Sequence, residues 1–210
     1  MTHGARFIGS LIILLSAACR PSSAPTTDGA EPAAAGGLAE QLAALEQRIV
    51  GDPTNASLYA ERARLYTAAD SLRQAFKDWE RAIAVDSTNA GYRIERGDLY
   101  YRQTMVDRAR AEFERAIALA PDRPDPRLKL AEIELVLRHY REAMELVNDA
   151  LRMDPNLAKG YYLKGWIYKE VGDTALAISS LRTAVEQDPG HYSAFIQLGL
   201  LHAGDRKSVV

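Results

Sequence analysis

The side chains that most often perform chemistry are scattered along this chain of 210 residues. His139, His191 and His202 do not stand three or four residues apart, the spacing that puts two metal ligands on one face of a helix. Glu132 and Glu134 are two residues apart, so their carboxylates would not face each other on a helix. No glycine-rich phosphate loop follows a strand pattern. The sequence therefore predicts no catalytic residue, no metal site and no cofactor, and we expect a protein that is not an enzyme.

The amino-terminal residues predict export and a covalent lipid anchor. Residues 1–18 combine a positive start at Arg6 with an uncharged, mostly apolar run, which is typical of a secretory signal peptide. Cys19 follows at once and is the single cysteine, so no intrachain disulfide can form. The string LSAAC, which ends at Cys19, resembles a bacterial lipobox. That resemblance implies lipids on Cys19; the alternative is ordinary signal-peptidase cleavage, which would leave a secreted protein with a free thiol.

The residues that follow the cysteine bear on location and order. The lipobox resemblance implies inner-membrane retention when aspartate comes next, but Arg20 stands there, so we expect an outer-membrane lipoprotein that faces the periplasm. Residues 19–37 comprise the lipidated cysteine and a segment rich in Pro, Ser, Thr, Ala and Gly. Such a segment cannot bury enough apolar surface to offset its ordering entropy. We therefore expect residues 1–37 to be a signal peptide and a disordered, flexible tether.

A fixed interval of 34 residues organises the rest of the chain. The string ERAIAVDSTN at Glu80 returns as ERAIALAPDR at Glu114, NDALRMDPNL at Asn148 and RTAVEQDPGH at Arg182. The sequence is helical in pattern from Leu38 onward and shows no convincing strand. The interval defines four units without insertions, which are residues 56–89, 90–123, 124–157 and 158–191.

Small residues recur in register in all four units. The eighth, twentieth and twenty-seventh positions hold Ala63, Ala75, Ala82, Gly97, Ala109, Ala116, Ala131, Ala143, Ala150, Gly165, Ala177 and Ala184. Side chains no larger than a methyl group allow two helix axes to approach closely. Pro121, Pro155 and Pro189 mark helix boundaries, because proline lacks an amide hydrogen and disfavours helix at the preceding residue. The pattern predicts close helix–helix packing that is repeated from unit to unit.

This pattern of small residues, large residues and proline at a period of 34 resembles the tetratricopeptide repeat (TPR) family. The resemblance implies an all-α fold in which antiparallel helix pairs stack into an α–α superhelix, a TPR solenoid. Residues 38–55 match the second half of a unit and predict a leading half-repeat helix that caps the stack. Residues 192–210 match the first half of a unit and predict the first helix of an incomplete fifth repeat.

The same resemblance implies a ligand groove lined by positions 2, 5, 9, 12 and 13 of each unit. The Lys and Asn that clamp a carboxyl-terminal peptide in some members are absent from positions 5 and 9, so the groove is expected to be apolar and aromatic with a charged fringe. Tyr, Trp and Arg are frequent interface anchors. The predicted partner-binding residues are Arg64, Ile94, Tyr101, Arg102, Leu128, Leu135, Tyr162, Trp166 and Lys169.

These observations favour a membrane-anchored scaffold that binds extended or helical segments of other proteins in the bacterial envelope. The net charge of −2 argues against nucleic acid as a partner. Two alternatives remain open at this stage. The chain could be the binding half of a longer enzyme or sensor. It could also be a structural homo-oligomer that closes through the apolar residues 192–204.

Two short triplets lie where the helices of a unit should turn. Asp70-Ser71-Leu72 and Asp173-Thr174-Ala175 each resemble the glycosylation site that Bacteroidetes use on exported proteins. Ser71 and Thr174 are also suited to cap the helix that follows, and we expect capping first.

Overall fold

The computed structural model describes residues 31–207, with side chains from 37 to 203. Within that range the backbone forms ten α-helices and no strand. Their bounds are α1 Glu31–Gly51, α2 Ala56–Ala68, α3 Leu72–Val85, α4 Ala90–Arg102, α5 Val106–Leu119, α6 Asp125–Val136, α7 Tyr140–Met153, α8 Ala158–Glu170, α9 Thr174–Gln187 and α10 Tyr192–Lys207. The chain divides into two units, residues 1–37 and 38–210, and all packing below concerns the second.

Each 34-residue repeat contains two helices, which we call A and B in chain order. The A helices are α2, α4, α6 and α8, the B helices are α3, α5, α7 and α9, and α10 follows as a further A helix. B helices α5, α7 and α9 each end two residues before a proline of the predicted boundary set. The all-α repeat fold predicted from the sequence is confirmed.

The turn from helix A to helix B has the same conformation in every repeat. The fifteenth residue of each repeat lies in this turn and has a positive φ. The values are 55° at Asp70, 58° at Thr104, 64° at Arg138 and 89° at Gly172. Only the last of these is glycine, the residue for which this region carries no steric penalty. The chain therefore accepts a modest backbone strain at three turns in order to reverse direction within a few residues.

The small residues pack against large side chains of the neighbouring helix. A Cβ atom built on Gly97 would lie 2.7 Å from Cε1 of Phe113, and one built on Gly165 would lie 2.7 Å from Cγ of Leu181. Real Cβ atoms essentially never approach so closely, so helices A and B are in direct contact at these glycines. The close approach predicted from the eighth position is confirmed.

Ion pairs replace apolar contacts between helices A and B of the first two repeats. Arg62 donates from Nε to Oδ2 of Asp78 at 2.7 Å and from Nη2 to Oδ1 at 2.8 Å. Arg96 and Glu112 hold the same places in the second repeat, with 2.7 Å between Nη2 and Oε1. Both carboxylates are buried, at 4% exposure. In the third repeat the equivalent residues are leucines, at positions 130 and 146, and both belong to one apolar cluster.

Helix α1 is longer at its start than the predicted leading helix. It begins at Glu31, seven residues before the predicted start at Leu38. The physical reason lies in the residues themselves: Pro32 is tolerated in a first helical turn, and three alanines with high helix propensity follow it. The predicted signal peptide and Cys19 lie outside the described residues.

The two turn triplets differ from the predicted capping. The carboxylate of Asp173 accepts from the amide of Leu176 at 3.0 Å, so Asp173 rather than Thr174 caps α9. Ser71 stands at the N-cap of α3, but its side chain makes no capping hydrogen bond. Among the described helices, none is long and apolar enough to cross a membrane.

Candidate functional site

The A helices border two adjoining cavities, which together we call the A-face groove. The first has a volume of about 360 Å³ and is lined by Arg64, Thr67, Ala68, Trp79, Glu95, Asp98, Leu99 and Arg102. The second has a volume of about 350 Å³ and is lined by Asp98, Tyr101, Arg102, Phe113, Lys129, Glu132 and Lys159. Asp98 and Arg102 line both cavities, so the groove runs without a break past α4.

Ion pairs connect consecutive A helices along this groove. From α2 to α4, Nε of Arg64 lies 2.8 Å from Oε2 of Glu95. From α4 to α6, Oδ1 of Asp98 lies 2.7 Å from Nζ of Lys129. A third pair links α6 to α8 and joins Glu132 to Lys159 at 2.8 Å. These contacts neutralise most of the groove's charge and fix the spacing of its walls.

Arg102 differs from the other cations of the groove. It is exposed, stands in the last turn of α4 and lines both cavities. Among residues with described side chains, no carboxylate forms an ion pair with it and no group accepts a hydrogen bond from it. A guanidinium presents five N–H donors in a fixed fork that fits a carboxylate. Arg102 is therefore the place where the groove can take an anionic group from outside.

Two tyrosines flank Glu132 on neighbouring helices. Burial first, and then the Glu132 carboxylate, raise the pKa of Tyr101 above its ordinary value. The same two causes raise the pKa of Tyr162. Both phenols are therefore neutral at physiological pH and can donate a hydrogen bond. Each is half-buried, which leaves part of the ring available for contact.

The aromatic residues of α8 continue beyond the second cavity. The rings of Tyr162 and Trp166 are 6.1 Å apart between centroids, and the indole Nε1 donates to Glu170 at 3.3 Å. Trp166 is half-buried against the core cluster of the third and fourth repeats. Lys169 donates from Nζ to Gln197 of α10 at 2.9 Å. The Tyr162 ring also packs on the His191 ring, with 4.8 Å between centroids, and neither Tyr162 nor Trp166 lines one of the two cavities.

Three predicted partner-binding residues are core residues instead. Ile94, Leu128 and Leu135 are 6%, 4% and 3% exposed, and they belong to apolar clusters between helices. The prediction is wrong for these three, because the groove positions that the family resemblance supplied include the fifth and twelfth of each unit, which here face neighbouring helices. Three other predicted residues do line the groove, namely Arg64, Tyr101 and Arg102. The guanidinium of Arg64 already pairs with Glu95 and lies over the Trp79 ring.

The sequence reasoning missed Glu95 and Lys129, which hold the sixth position of their repeats. Each pairs with the ninth position of the preceding repeat, where Arg64 and Asp98 stand. A comparison of charge signs between ninth and following sixth positions would have found both pairs, because the signs are opposite in each case.

Comparison with known proteins decides the family. Three models described as "Tetratricopeptide repeat" match residues 54–124, 100–167 and 158–191, and together they span 54–191 without a gap, well over half of the 210 residues. The chain belongs to the tetratricopeptide repeat family. The four units of this TPR protein are thus repeats in sequence and in helix packing. A comparison with curated protein sequences gives no match.

Solved structures agree with the TPR fold. The crystal structure of YrrB, described as a TPR protein with an unusual peptide-binding site, is 24% identical and has a TM-score of 0.61. The match covers 78% of this chain and 84% of YrrB. The MamA structure is 19% identical over 77% of this chain and 94% of that chain, with a TM-score of 0.64. A chain of the Cut9–Hcn1 complex is 13% identical over 81% of this chain and 34% of its own, with a TM-score of 0.69. At these identities the likeness shows the fold alone.

Proposed function

We propose that this TPR protein binds a segment of another protein in the A-face groove and pairs a carboxylate of that segment with Arg102. The observation that carries the proposal is the contrast between Arg102 and its neighbours: three ion pairs occupy the other charges, and this guanidinium alone borders both cavities without a described partner. The neutral phenol of Tyr101 and the apolar floor formed by Trp79 and Leu99 suit a polypeptide. YrrB, which has the same fold, is described as having a peptide-binding site, which supports this reading.

The expected test of this proposal is selection of short peptides from a random library on the purified protein. We expect the bound peptides to be enriched in Asp, Glu or a free carboxyl terminus. Replacing Arg102 by alanine should weaken their binding by about 10- to 100-fold, because a hydrogen-bonded charge pair is lost. Isothermal titration calorimetry with one selected peptide measures the change.

Arg73 provides a matched control for that experiment. It is an exposed arginine on α3 and does not line either cavity of the groove. The Arg73→Ala variant should bind the peptide as the unmodified protein does. Unchanged affinity of Arg102→Ala, with helicity intact by circular dichroism, would contradict the proposed role of Arg102.

We further propose that the protein works as a scaffold held at the outer membrane, on its periplasmic side, by lipid on Cys19. The support is the signal-like sequence, the lipobox resemblance and Arg20 after the cysteine. A lipid anchor would keep the groove near the envelope complexes whose assembly or regulation it serves. The TPR unit would bind partners there as a scaffold and not as an enzyme.

The lipid anchor makes a prediction of its own. When the full-length gene is expressed in a diderm bacterium, intact-mass analysis of the mature protein should show a chain that begins at Cys19 and carries the mass of attached acyl chains. The Cys19→Ser variant should lack that mass and leave the membrane fraction, since stable anchoring depends on the acyl chains. An unmodified mature terminus in the unsubstituted protein would contradict the proposal.

Self-association through α10 is a second candidate function. Large apolar side chains on one face of that helix are exposed, although an exposed apolar face on a repeat helix is normally covered by the next helix. This observation favours assembly of copies of the chain independently of the groove.

A further inference from the structure

Helix α10 presents an apolar stripe on the face turned away from the rest of the stack. Its other face packs on α9, where Ala194 is fully buried in a cluster with Leu181 and Ala184. The stripe itself comprises Tyr192, Phe195, Ile196, Gly199, Leu200 and Ala203. Tyr192 is 80% exposed, Ile196 62% and Leu200 61%, values that are high for large apolar side chains.

This stripe is the face to which a helix B would bind. In the second and fourth repeats the eighth position is glycine, and a large residue of the following helix B fills the space in front of it. Gly199 holds the eighth position of the fifth unit, and a Cβ atom built on it would meet nothing within 4 Å. Among the described residues, no helix covers this face, so α10 carries a helix-binding surface that is open.

Charge restricts what can occupy that surface. Residues 192–203 contain no Lys, Arg, Asp or Glu, and the six stripe residues carry no charged side chain, so two copies of the stripe meet without like-charge repulsion. His202 is exposed at the edge of the stripe and is not one of the six. The opposite end of the stack is different. Helix α1 exposes Gln41 and Arg48 at the twentieth and twenty-seventh positions, where every complete repeat has alanine. Packing α10 on α1 of another copy would cover Arg48 and its ion pair with Glu61, and the cost of removing these charges from water disfavours a head-to-tail chain of copies.

When two copies of α10 are placed antiparallel, large residues of one stripe face small residues of the other. In an antiparallel pair of α10 helices centred between Gln197 and Leu198, residues whose numbers add to 395 lie level with each other. Tyr192 then lies level with Ala203 of the second copy, and Ile196 with Gly199 of the second copy. Phe195 lies level with Leu200 of the second copy. Two of the three layers thus combine a large side chain with a small one, which permits close packing of the helix axes.

We infer that α10 binds α10 of a second copy in this antiparallel arrangement, about a two-fold axis, and so joins two TPR units into a closed dimer. The inference rests on the second candidate function above and names its partner and geometry. A two-fold interface uses the same surface on both copies and therefore stops at two. The outcome is a dimer with two A-face grooves, whereas a head-to-tail contact would continue into a fibre.

Light scattering after size exclusion tests the association itself, on the protein with Cys19 replaced by serine so that no thiol interferes. We expect a dimer at micromolar concentrations. Ile196→Glu should raise the dissociation constant at least about 100-fold, because a two-fold axis places each substituted residue in the interface twice. Val50→Glu is the matched control, since Val50 is 75% exposed on α1 at the other end of the stack, and it should remain dimeric. A monomer at all concentrations would overturn both the second candidate function and the proposed pairing.

Cysteine pairs test the geometry separately. In the proposed pairing, residue 192 of one copy lies level with residue 203 of the other. The two copies of residue 192 are therefore separated along the helix axes by the length of eleven helical residues, which is about 16 Å. A short thiol cross-linker should therefore join a mixture of Tyr192→Cys and Ala203→Cys proteins, but neither variant alone. Both sites are exposed, so the fold should tolerate the changes. A dimer in which each variant links to itself and the mixture gives no added product would overturn the antiparallel pairing while leaving self-association intact.

Discussion

Replacing Arg62 alone by leucine is expected to lower the free energy of unfolding by about 3–5 kcal/mol. Arg62 makes two hydrogen bonds to Asp78, which is buried, and its Nη1 also pairs with Glu46 of α1. Without the guanidinium, the Asp78 carboxylate would remain between helices α2 and α3 without the cation that pairs with it, since no other described cation forms an ion pair with Asp78. The loss comes mainly from that stranded charge, since a carboxylate in an apolar environment has lost its hydration without compensation.

The double substitution Arg62→Leu with Asp78→Leu should restore stability to within about 1 kcal/mol of the unsubstituted protein. The third repeat supplies the physical reason, because Leu130 and Leu146 hold the same two positions and pack in one apolar cluster. The exposed contact to Glu46 is lost in both variants and contributes little.

Urea unfolding followed by circular dichroism, with linear extrapolation to water, measures the free energy of unfolding. The unsubstituted protein, the single variant and the double variant are compared under one condition. The informative quantity is the difference between the single and the double variant. Equal destabilisation of the two would contradict the stranded-charge argument and would indicate that Arg62 acts through its own packing. The Asp78→Leu single variant completes the cycle and separates the two contributions.

Alanine should have opposite effects at two glycines that hold the same position of different repeats. At Gly97 the added methyl would lie 2.7 Å from the buried Phe113 ring, so we expect a net loss of about 1–3 kcal/mol despite the better helix propensity of alanine. At Gly199 nothing lies within 4 Å, so Gly199→Ala should gain about 0.5–1 kcal/mol from propensity alone.

Urea unfolding, at a concentration where light scattering shows a monomer, compares the two alanine variants. A rescue variant sharpens the result at Gly97. Combining Gly97→Ala with Phe113→Leu should cost less than the sum of the two single losses, because the smaller side chain yields the space that the methyl needs. Stabilisation by Gly97→Ala alone would show that Phe113 moves aside freely and that helices A and B are not in close contact there.

The family and the architecture could be predicted from the sequence because they depend on a one-dimensional signal. A repeat contacts only its neighbours, so each helix pair must carry the same small and large residues at the same positions. Alanine or glycine at three fixed positions of four units is such a signal, and Gly97 and Gly165 show what it means in space. The start of α1 at Glu31 carries no repeat signal, because it depends on the helix propensity of a few alanines rather than on positions shared between units.

The binding groove depended on tertiary structure. The family positions that suggested Ile94, Leu128 and Leu135 as partner contacts state only which side of a helix a residue occupies. How deeply that side is covered depends on the side chains of the next repeat, which the one-helix pattern does not contain. The same holds for Glu95, whose role follows from Arg64 reaching it across to the neighbouring helix.

The sequence by itself determined that paired helices repeat every 34 residues, because methyl-sized side chains recur wherever two helices must touch. Only the tertiary structure decided which charges are satisfied, because an ion pair depends on a few ångströms between side chains that are about 30 residues apart in sequence. By that criterion Arg64, Lys129 and Lys159 are engaged, and Arg102 is the cation that the groove leaves available within the described part of the chain.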